Sequence, residues 1–560
     1  MAIKKVTVLD QKLEQLRREG EERSAERLAE DLKLPYIDLT RAPVSLDAVR
    51  LVSKKDAEEG KVVAIEVRPG KVALAAVNPA LPTAKRVIKD LENKKYEVKI
   101  FIASYSGVKQ AWHFYGFIPE KKEDITGKLG IKKERFEELI HKWHTLEEFQ
   151  EEVNNTNLRK VTTTTLFEMI IAEALTARAS DIHFEAEEEN VRVRFRIDGI
   201  LNDALPTLLI DKYAGLTSRI KLLSGMKINV RGEPQDGRFT LELTGKDVEF
   251  RVSILPSEFG ETIVMRVLDP EAINVDLPGL GLRADDLALV EDQMAKPNGL
   301  VLNTGPTGSG KTTTLYAFLK HMADSKTKII TIEDPIEYRL NGIEQTQVNP
   351  SVDYTFAKGL RAIVRQDPDI ILVGEIRDRE TAEISMQAAL TGHVVFSTLH
   401  TNDAVGAVPR LIDLGVKPAI VGPALSMVIA QRLVRTLCEK CKKPVNLSAV
   451  DKRKFGKFIA QLPARVDKSN YTEDKFGVFE SVGCKDCNGF GYKGRLAVFE
   501  FLDAGEKFEE AILKEASEVN LKRIARDQEM VTMQQDGILK VLSGLTTLDE
   551  VERITGKIKW

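Results

Sequence analysis

The stretch LVLNTGPTGSGKTTTLYAFLKHMA, residues 300–323, organises the reading of the whole chain. Its apolar opening reads as a buried strand and its close as a helix. Between them, GPTGSGKT at 305–312 satisfies the pattern G-x-x-x-x-G-K-[ST] in the strand, loop, helix context that gives the pattern its meaning. Glycines let successive backbone N–H groups turn toward one anion, and the helix N-terminus adds positive partial charge. Gly305, Pro306, Thr307, Gly308, Ser309, Gly310, Lys311, Thr312 and Thr313 are therefore the expected nucleotide contacts. Lys311 is expected to reach the β- and γ-phosphate oxygens and Thr312 to ligate Mg2+, which makes ATP and Mg2+ the expected ligands.

Working outward, the apolar runs GLVLNTG, KIITIED, DIILVGE and HVVFSTL are each followed by a polar loop and a helix-like run. That rhythm predicts a doubly wound parallel sheet from about residue 277 onward. Such sheets deliver functional side chains at the carboxyl ends of their strands, beside the phosphate loop. Phosphoryl transfer to water needs an acid near the metal and a group that orients the nucleophile. Glu333 and Asp334 end one strand, Glu375 follows another, and His393 and His400 flank a third. In DPDIILVGEIRD, 367–378, Gly374 stands where an ATPase strand usually carries an aspartate, and the acid comes one residue later.

At 560 residues the chain has room for three or four domains of roughly 150 residues each. Its 82 basic and 85 acidic residues leave a formal charge of -3, and 6% aromatic content offers no aromatic-basic stretch for a nucleic acid. The start lacks a secretory pattern, so the chain is expected to stay in the cytosol. The uncharged run PAIVGPALSMVIA, 418–430, falls short of the roughly 20 residues a spanning helix needs. A membrane role is expected to come through partners.

Ahead of the motif region, residues 10–32 place Leu13, Leu16, Leu28 and Leu32 among charges as in an amphipathic helix that Pro35 stops. A small α/β domain is expected over 1–118, for docking or regulation. A charged helical linker follows over 119–160, with Phe136, Leu139, Trp143 and Phe149 as its few apolar anchors, and an α+β domain over 161–276. In that last unit, strand alternation sets Val191, Val193, Phe195 and Ile197 against Arg192, Arg194 and Arg196. The arginine row fits a solvated face, or a surface that meets phosphate or a neighbouring acidic subunit. All four cysteines lie in two C-x-x-C pairs, Cys438 with Cys441 and Cys484 with Cys487. This is the ligand spacing of a four-thiolate Zn2+ site, with a pair of redox motifs as the rival reading.

With these residues assembled, the chain resembles the type II/type IV secretion superfamily of ATPases over roughly residues 160–560. Four ordered motifs carry the resemblance: the phosphate loop, TIEDPIEY at 331–338, ILVGEIRD at 371–378 and TGHVVFSTLHTND at 391–403. It implies a multidomain α/β fold with a RecA-like core at 277–560 that includes a tetracysteine zinc element at 438–487. It further implies a homohexamer that hydrolyses ATP and acts on an inner-membrane platform protein, either extending a type IV pilus or serving type II secretion. The zinc element implies a pushing motor rather than a shorter retraction motor, and the length of the chain and the long loop between the cysteine pairs favour the pilus motor.

By the same resemblance Glu333 is the general base, Glu375 holds Mg2+ through water, and His393 and His400 respond to nucleotide. Arg194, Arg196, Arg219 and Arg238 become candidate phosphate contacts, and Arg361 and Arg365 candidate contacts to a neighbouring subunit. The first 110 residues resemble the N-terminal domain of assembly motors, without a convincing pair of the Arg-Leu-Gly signatures that bind cyclic di-GMP. From other classes, a nucleic-acid translocase and a slow nucleotide switch stay open.

Overall fold

In the computed structural model, residues 8–560 are described except 69, 118–132, 141, 157–159, 274, 473–476 and 559. Much of the expected linker, and the side chains of Leu13 and Leu16, lie outside the described residues.

The first unit is a three-stranded sheet in the order Val62–Arg68, Lys71–Ala76, Glu97–Ile102, antiparallel then parallel. The helix Val8–Leu32 docks on it by packing Ala25 and Ala29 against Ile102. Glu22 fixes that docking by accepting from the hydroxyls of Ser104 at 2.6 Å and Tyr36 at 2.5 Å. The helix ends at Lys33, whose φ of 53° is left-handed, two residues before Pro35.

The second unit is an antiparallel six-stranded sheet. Its order is Ile200–Leu209, Asn190–Ile197, Ala179–Ala186, Gly260–Leu268, Asp247–Ser257, Gln235–Glu242. Val191, Val193, Phe195 and Ile197 face the core while the arginines between them do not. The helices Lys133–Ile140 and Leu146–Asn155, expected to act as a linker, belong to this core. Phe136, Trp143, Phe149 and Val153 are buried in one cluster with Ile170, Phe184 and Phe250. Apolar burial of about 1.5–3 kcal/mol for each such side chain outweighs the charged character of the intervening residues.

The third unit is a seven-stranded sheet ordered Glu344–Gln347, Ile329–Glu333, Ile370–Val373, Val394–Leu399, Gly299–Thr304, Leu425–Leu437, Tyr492–Asp503. The first six run parallel and the last is antiparallel to its neighbour. The register pairs Thr304 with Leu399 and Ile332 with Val373, so these carboxyl ends share one edge of the sheet. Helices cover both faces, with Leu360, Ala382 and Met386 on one and Leu315, Phe318 and Val290 on the other.

The cysteine pairs lie on the excursion between the last two strands. Its helix Ala449–Gln461 packs Phe455 against Ile538, Val541 and Val551. Arg465 on the same excursion reaches Asp286 at 2.9 Å, and Arg283 meets the same carboxylate at 2.8 Å. The excursion also approaches the second unit, where Lys485 Nζ lies 3.4 Å from Glu148 Oε1, and just beyond it, on the last strand, the Gly494 N–H donates to Asp198 at 3.0 Å.

Candidate nucleotide site and metal centre

The strand Gly299–Thr304 runs through the loop into the helix Lys311–Met322. Two loop glycines are required by the geometry. Gly310 has φ 89°, a left-handed conformation that disfavours a side chain. At Gly305, a Cβ would sit 2.6 Å from the Gln431 carbonyl oxygen and 2.6 Å from Ser309 Oγ. The cradle is thus one that only glycine leaves open, which fits a phosphate chain bound by backbone N–H groups.

Gln431 supports the loop from the neighbouring strand: its Oε1 accepts from Asn303 Nδ2 and Thr314 Oγ1, both at 2.9 Å. Lys311 Nζ donates to the carbonyls of Gly305 at 2.8 Å and Pro306 at 3.1 Å. Burial pushes its ammonium down to about 8, against the opposing pull of Glu375 and with a further push from Arg432. Thr312 and Thr313 are half-buried in the first turn of the helix.

Arg432 escaped the sequence reading. Its Nη2 donates to Asn402 O at 3.1 Å and Oδ1 at 3.3 Å, and its Nη1 stands beside Gly305. It joins the phosphate loop to the segment after His400. The signal was available only through the strand order, because Leu425–Leu437 had to be recognised as the neighbour of the loop strand.

The strand ending in Val373 resolves the unusual glycine. A Cβ on Gly374 would meet Glu333 Cα and the Ile332 carbonyl oxygen, each at 3.3 Å. Gly374 N–H donates to that carbonyl at 2.8 Å, so the small residue keeps the two acidic strand ends in close contact. Glu375 follows at the mouth of the site. Its Oε1 pairs with Arg377 at 2.5 Å, and its Oε2 lies 3.8 Å from His400 Nε2. Burial lowers the His400 pKa, as does the charge of Lys311, while Glu375 opposes both.

Glu333 is 4% exposed and bound on both oxygens. Tyr316 donates to Oε2, and Oε1 accepts from Thr331 at 2.5 Å and Gln345 at 3.2 Å. Burial raises its pKa, against the lowering effect of those three donors.

Not every expected residue assembles here. His393 sits at the amino end of Val394–Leu399, with Nδ1 2.9 Å from the Ala388 carbonyl oxygen. At roughly 3.3 Å per residue it is about 20 Å from His400, on the far side of the sheet. It is removed from the catalytic set because parallel strands present only their carboxyl ends to the loop.

The arginine candidates are also revised. Arg194 pairs with Glu185, while Arg196 reaches Asp181 at 3.5 Å and donates to the Gly199 carbonyl at 3.1 Å. Carboxylates on the sheet's own polar face neutralise both. Arg219 is half-buried beside the charge of Glu168, and Arg238 is exposed. Among the described residues, Arg251 crosses to the motor. It donates to Glu337 Oε2 at 3.0 Å and to the Ile336 carbonyl at 2.6 Å, immediately after the Glu333 strand. Arg361 pairs with Glu380 at the surface, and Arg365 is exposed. Arg251→Ala is expected to raise the KM for ATP about 10-fold, the scale of one charge-assisted bond, whereas Arg238→Ala stays within about twofold. Steady-state kinetics on the two variants checks the contrast.

The four cysteine sulfurs lie within 4.8 Å of one another. Cys438 to Cys484 is 3.9 Å, and Cys441 to Cys487 and Cys484 to Cys487 are each 3.8 Å. Disulfides need about 2.05 Å. Thiolates at about 2.3 Å from a tetrahedral Zn2+ stand about 3.8 Å apart, so the donor set fits that ion. Backbone N–H groups of Cys484 and Gly491 donate to Cys487 Sγ, each at 3.2 Å, and orient it as a ligand.

A glycine cradle at the edge of a parallel sheet, with a lysine and two acids at the neighbouring strand ends, defines a RecA-like phosphate-loop ATPase. The family model described as "Type II/IV secretion system protein" matches residues 157–553, and the chain belongs to that family. A second model, the MshEN domain, matches residues 32–115.

The type IV pilus assembly ATPase PilB of Myxococcus xanthus is 38% identical over 529 residues, covering 94% of this chain and 89% of that protein. The type II secretion system protein E of Pseudomonas aeruginosa is 46% identical over 390 residues, covering 70% and 75%. In fold, the chain is similar to the ATPase DotB of Yersinia pseudotuberculosis, with a TM-score of 0.51 at 21% identity over 71% of this chain and 95% of that one. The chain is an ATPase of the pilus and secretion motors. Among the described residues no helix is long and apolar enough to cross a membrane.

Proposed function

We propose that this chain is the motor that extends a type IV pilus-like filament, working as a homohexamer on an inner-membrane platform protein. The observation that carries this reading is the reach of the similarity. Likeness to the pilus assembly ATPase runs through 94% of the chain, N-terminal unit included, while likeness to the secretion protein covers 70%. Type II secretion remains the alternative.

At the site, Gly305 to Thr313 bind the phosphates, Lys311 neutralises the β- and γ-oxygens, and Thr312 holds Mg2+. Glu375 orients the metal's water shell, Glu333 takes the proton of the attacking water, and His400 reports nucleotide state to Asn402 and Arg432. The metal supplies charge neutralisation on the phosphates when bound. Cys438, Cys441, Cys484 and Cys487 would hold Zn2+ and so close the excursion that carries Arg465 to Asp286 and Lys485 toward Glu148 of the second unit.

Deleting the gene tests the assignment. Loss of surface filaments with extracellular enzymes still exported supports it, and the reverse pattern overturns it. In purified form, hydrolysis stimulated by membranes carrying the platform protein supports a motor. Stimulation by DNA alone would favour a translocase.

A further inference from the structure

The phosphate-loop helix carries Tyr316 one turn after Thr312, so the two share a helix face. Tyr316 is 0% exposed, and its ring packs edge-on against Tyr338 at 4.7 Å between centroids. Its hydroxyl donates to Glu333 Oε2. Gln345, which donates to Oε1, is itself held by the Tyr338 carbonyl at 3.1 Å and the Leu340 N–H at 2.7 Å. A carboxylate offers about four acceptor positions. Thr331 and Gln345 occupy those of Oε1, and Tyr316 takes one of the two on Oε2.

We propose that Tyr316 is a positioning residue for Glu333, fixing the carboxylate so that one lone pair of Oε2 faces a water. Through Tyr316, the orientation of the base is tied to the helix that carries Lys311 and Thr312. The inference rests on Glu333 acting as the base.

The groups that face this carboxylate are Tyr316 from the helix, Thr331 from its own strand, Gln345 from the edge strand, and Glu337 and Tyr338 from the following loop. Glu337 raises the Glu333 pKa by like charge, and the donors lower it. The Tyr316 hydroxyl is itself held far above its ordinary range by burial and by the charge of Glu333, so it stays a donor at every working pH. Removing that donor disfavours the carboxylate form and raises the pKa of the base.

The experiment is the pH profile of kcat at saturating Mg-ATP for Tyr316→Phe, Glu333→Gln and the double variant. Tyr316→Phe keeps the ring and its packing. Its acid limb is expected about one to two pH units above that of the parent, the scale of one hydrogen bond to a charged group, with KM for ATP within twofold. The double variant should be no slower than Glu333→Gln alone. With Glu333→Gln inactive, an unshifted acid limb, or a loss uniform in pH, overturns the role of Tyr316 and leaves the base assignment standing. Full turnover by Glu333→Gln overturns both.

Discussion

Glu333→Gln is expected to bind ATP as the parent does and to lose turnover about 100- to 10,000-fold, the range that general-base catalysis supplies. The amide keeps the volume of the carboxylate and can keep bonds to Tyr316, Thr331 and Gln345, so the variant isolates the proton-accepting step. Equilibrium binding of a labelled nucleotide and phosphate release, measured on the same sample, check the two halves. The pH dependence follows from burial. Because burial raises the pKa of Glu333, the acid limb of kcat in the parent lies above the ordinary 4.5 of a glutamate, and activity falls as pH drops through it. The sign for stability is opposite. The ionised carboxylate is the form that burial penalises, so this group's contribution is greatest below its unfolded pKa and declines as pH rises through the folded value. Glu333→Gln should therefore not melt below the parent at pH 8, and any advantage it holds there should shrink toward pH 4.

Cys438→Ser is expected to reduce bound zinc from about one ion per chain to nearly none and to release the excursion from the motor. Cys438 is buried, its sulfur lies 3.9 Å from that of Cys484, and its N–H donates to the Gly491 carbonyl at 3.0 Å. Structural Zn2+ in small domains binds with about 10–16 kcal/mol, and that binding is folding free energy. Losing one of four thiolates leaves the remaining sulfurs without the charge that held them together. Elemental analysis gives the metal content, and limited proteolysis between the two cysteine pairs should become rapid in the variant. Full zinc content in Cys438→Ser, or a folded parent free of zinc, would contradict the site.

The sequence reading succeeded where one short motif or one period determines the outcome. The phosphate loop and the parallel sheet followed from glycine spacing and from apolar runs of strand length, and the four-cysteine cluster from two C-x-x-C pairs. It fell short where strand direction or cross-strand partners decide. His393 and His400 flank the same strand, and the resemblance named both; the carboxyl-end rule favours His400, and the parallel register places His393 at the opposite end. The alternation of Arg192, Arg194 and Arg196 placed them on one face. Asp181 and Glu185 alternate in the same way on the next strand, where the register sets Asp181 opposite Arg196 and leaves Glu185, opposite Arg192, within diagonal reach of Arg194. Arg251 was visible as one more arginine, but its reach to Glu337 spans two units and has no local signature. The segment 133–155 read as a linker because charge dominates its composition. Five of its described side chains, Phe136, Trp143, Leu146, Phe149 and Val153, were enough to bury it.

The glycine after IILV brings the two acidic strand ends together, and in the proposed function the acidic work is divided between them, with Glu375 assigned to the metal's water shell and Glu333 to the attacking water. The Mg2+ dependence of single-turnover hydrolysis tests that division most directly. Glu375→Gln is expected to need about 10-fold more Mg2+ for half-maximal rate, the scale of one lost charge-assisted contact, and to recover much of the parent rate when the metal is saturating. Glu333→Gln is expected to reach half of its residual rate at the parent's Mg2+ concentration and to stay about 100- to 10,000-fold slower than the parent however much metal is added. Equal Mg2+ dependence in the two variants, or rescue of Glu333→Gln by the metal, would contradict the division of roles between the two glutamates.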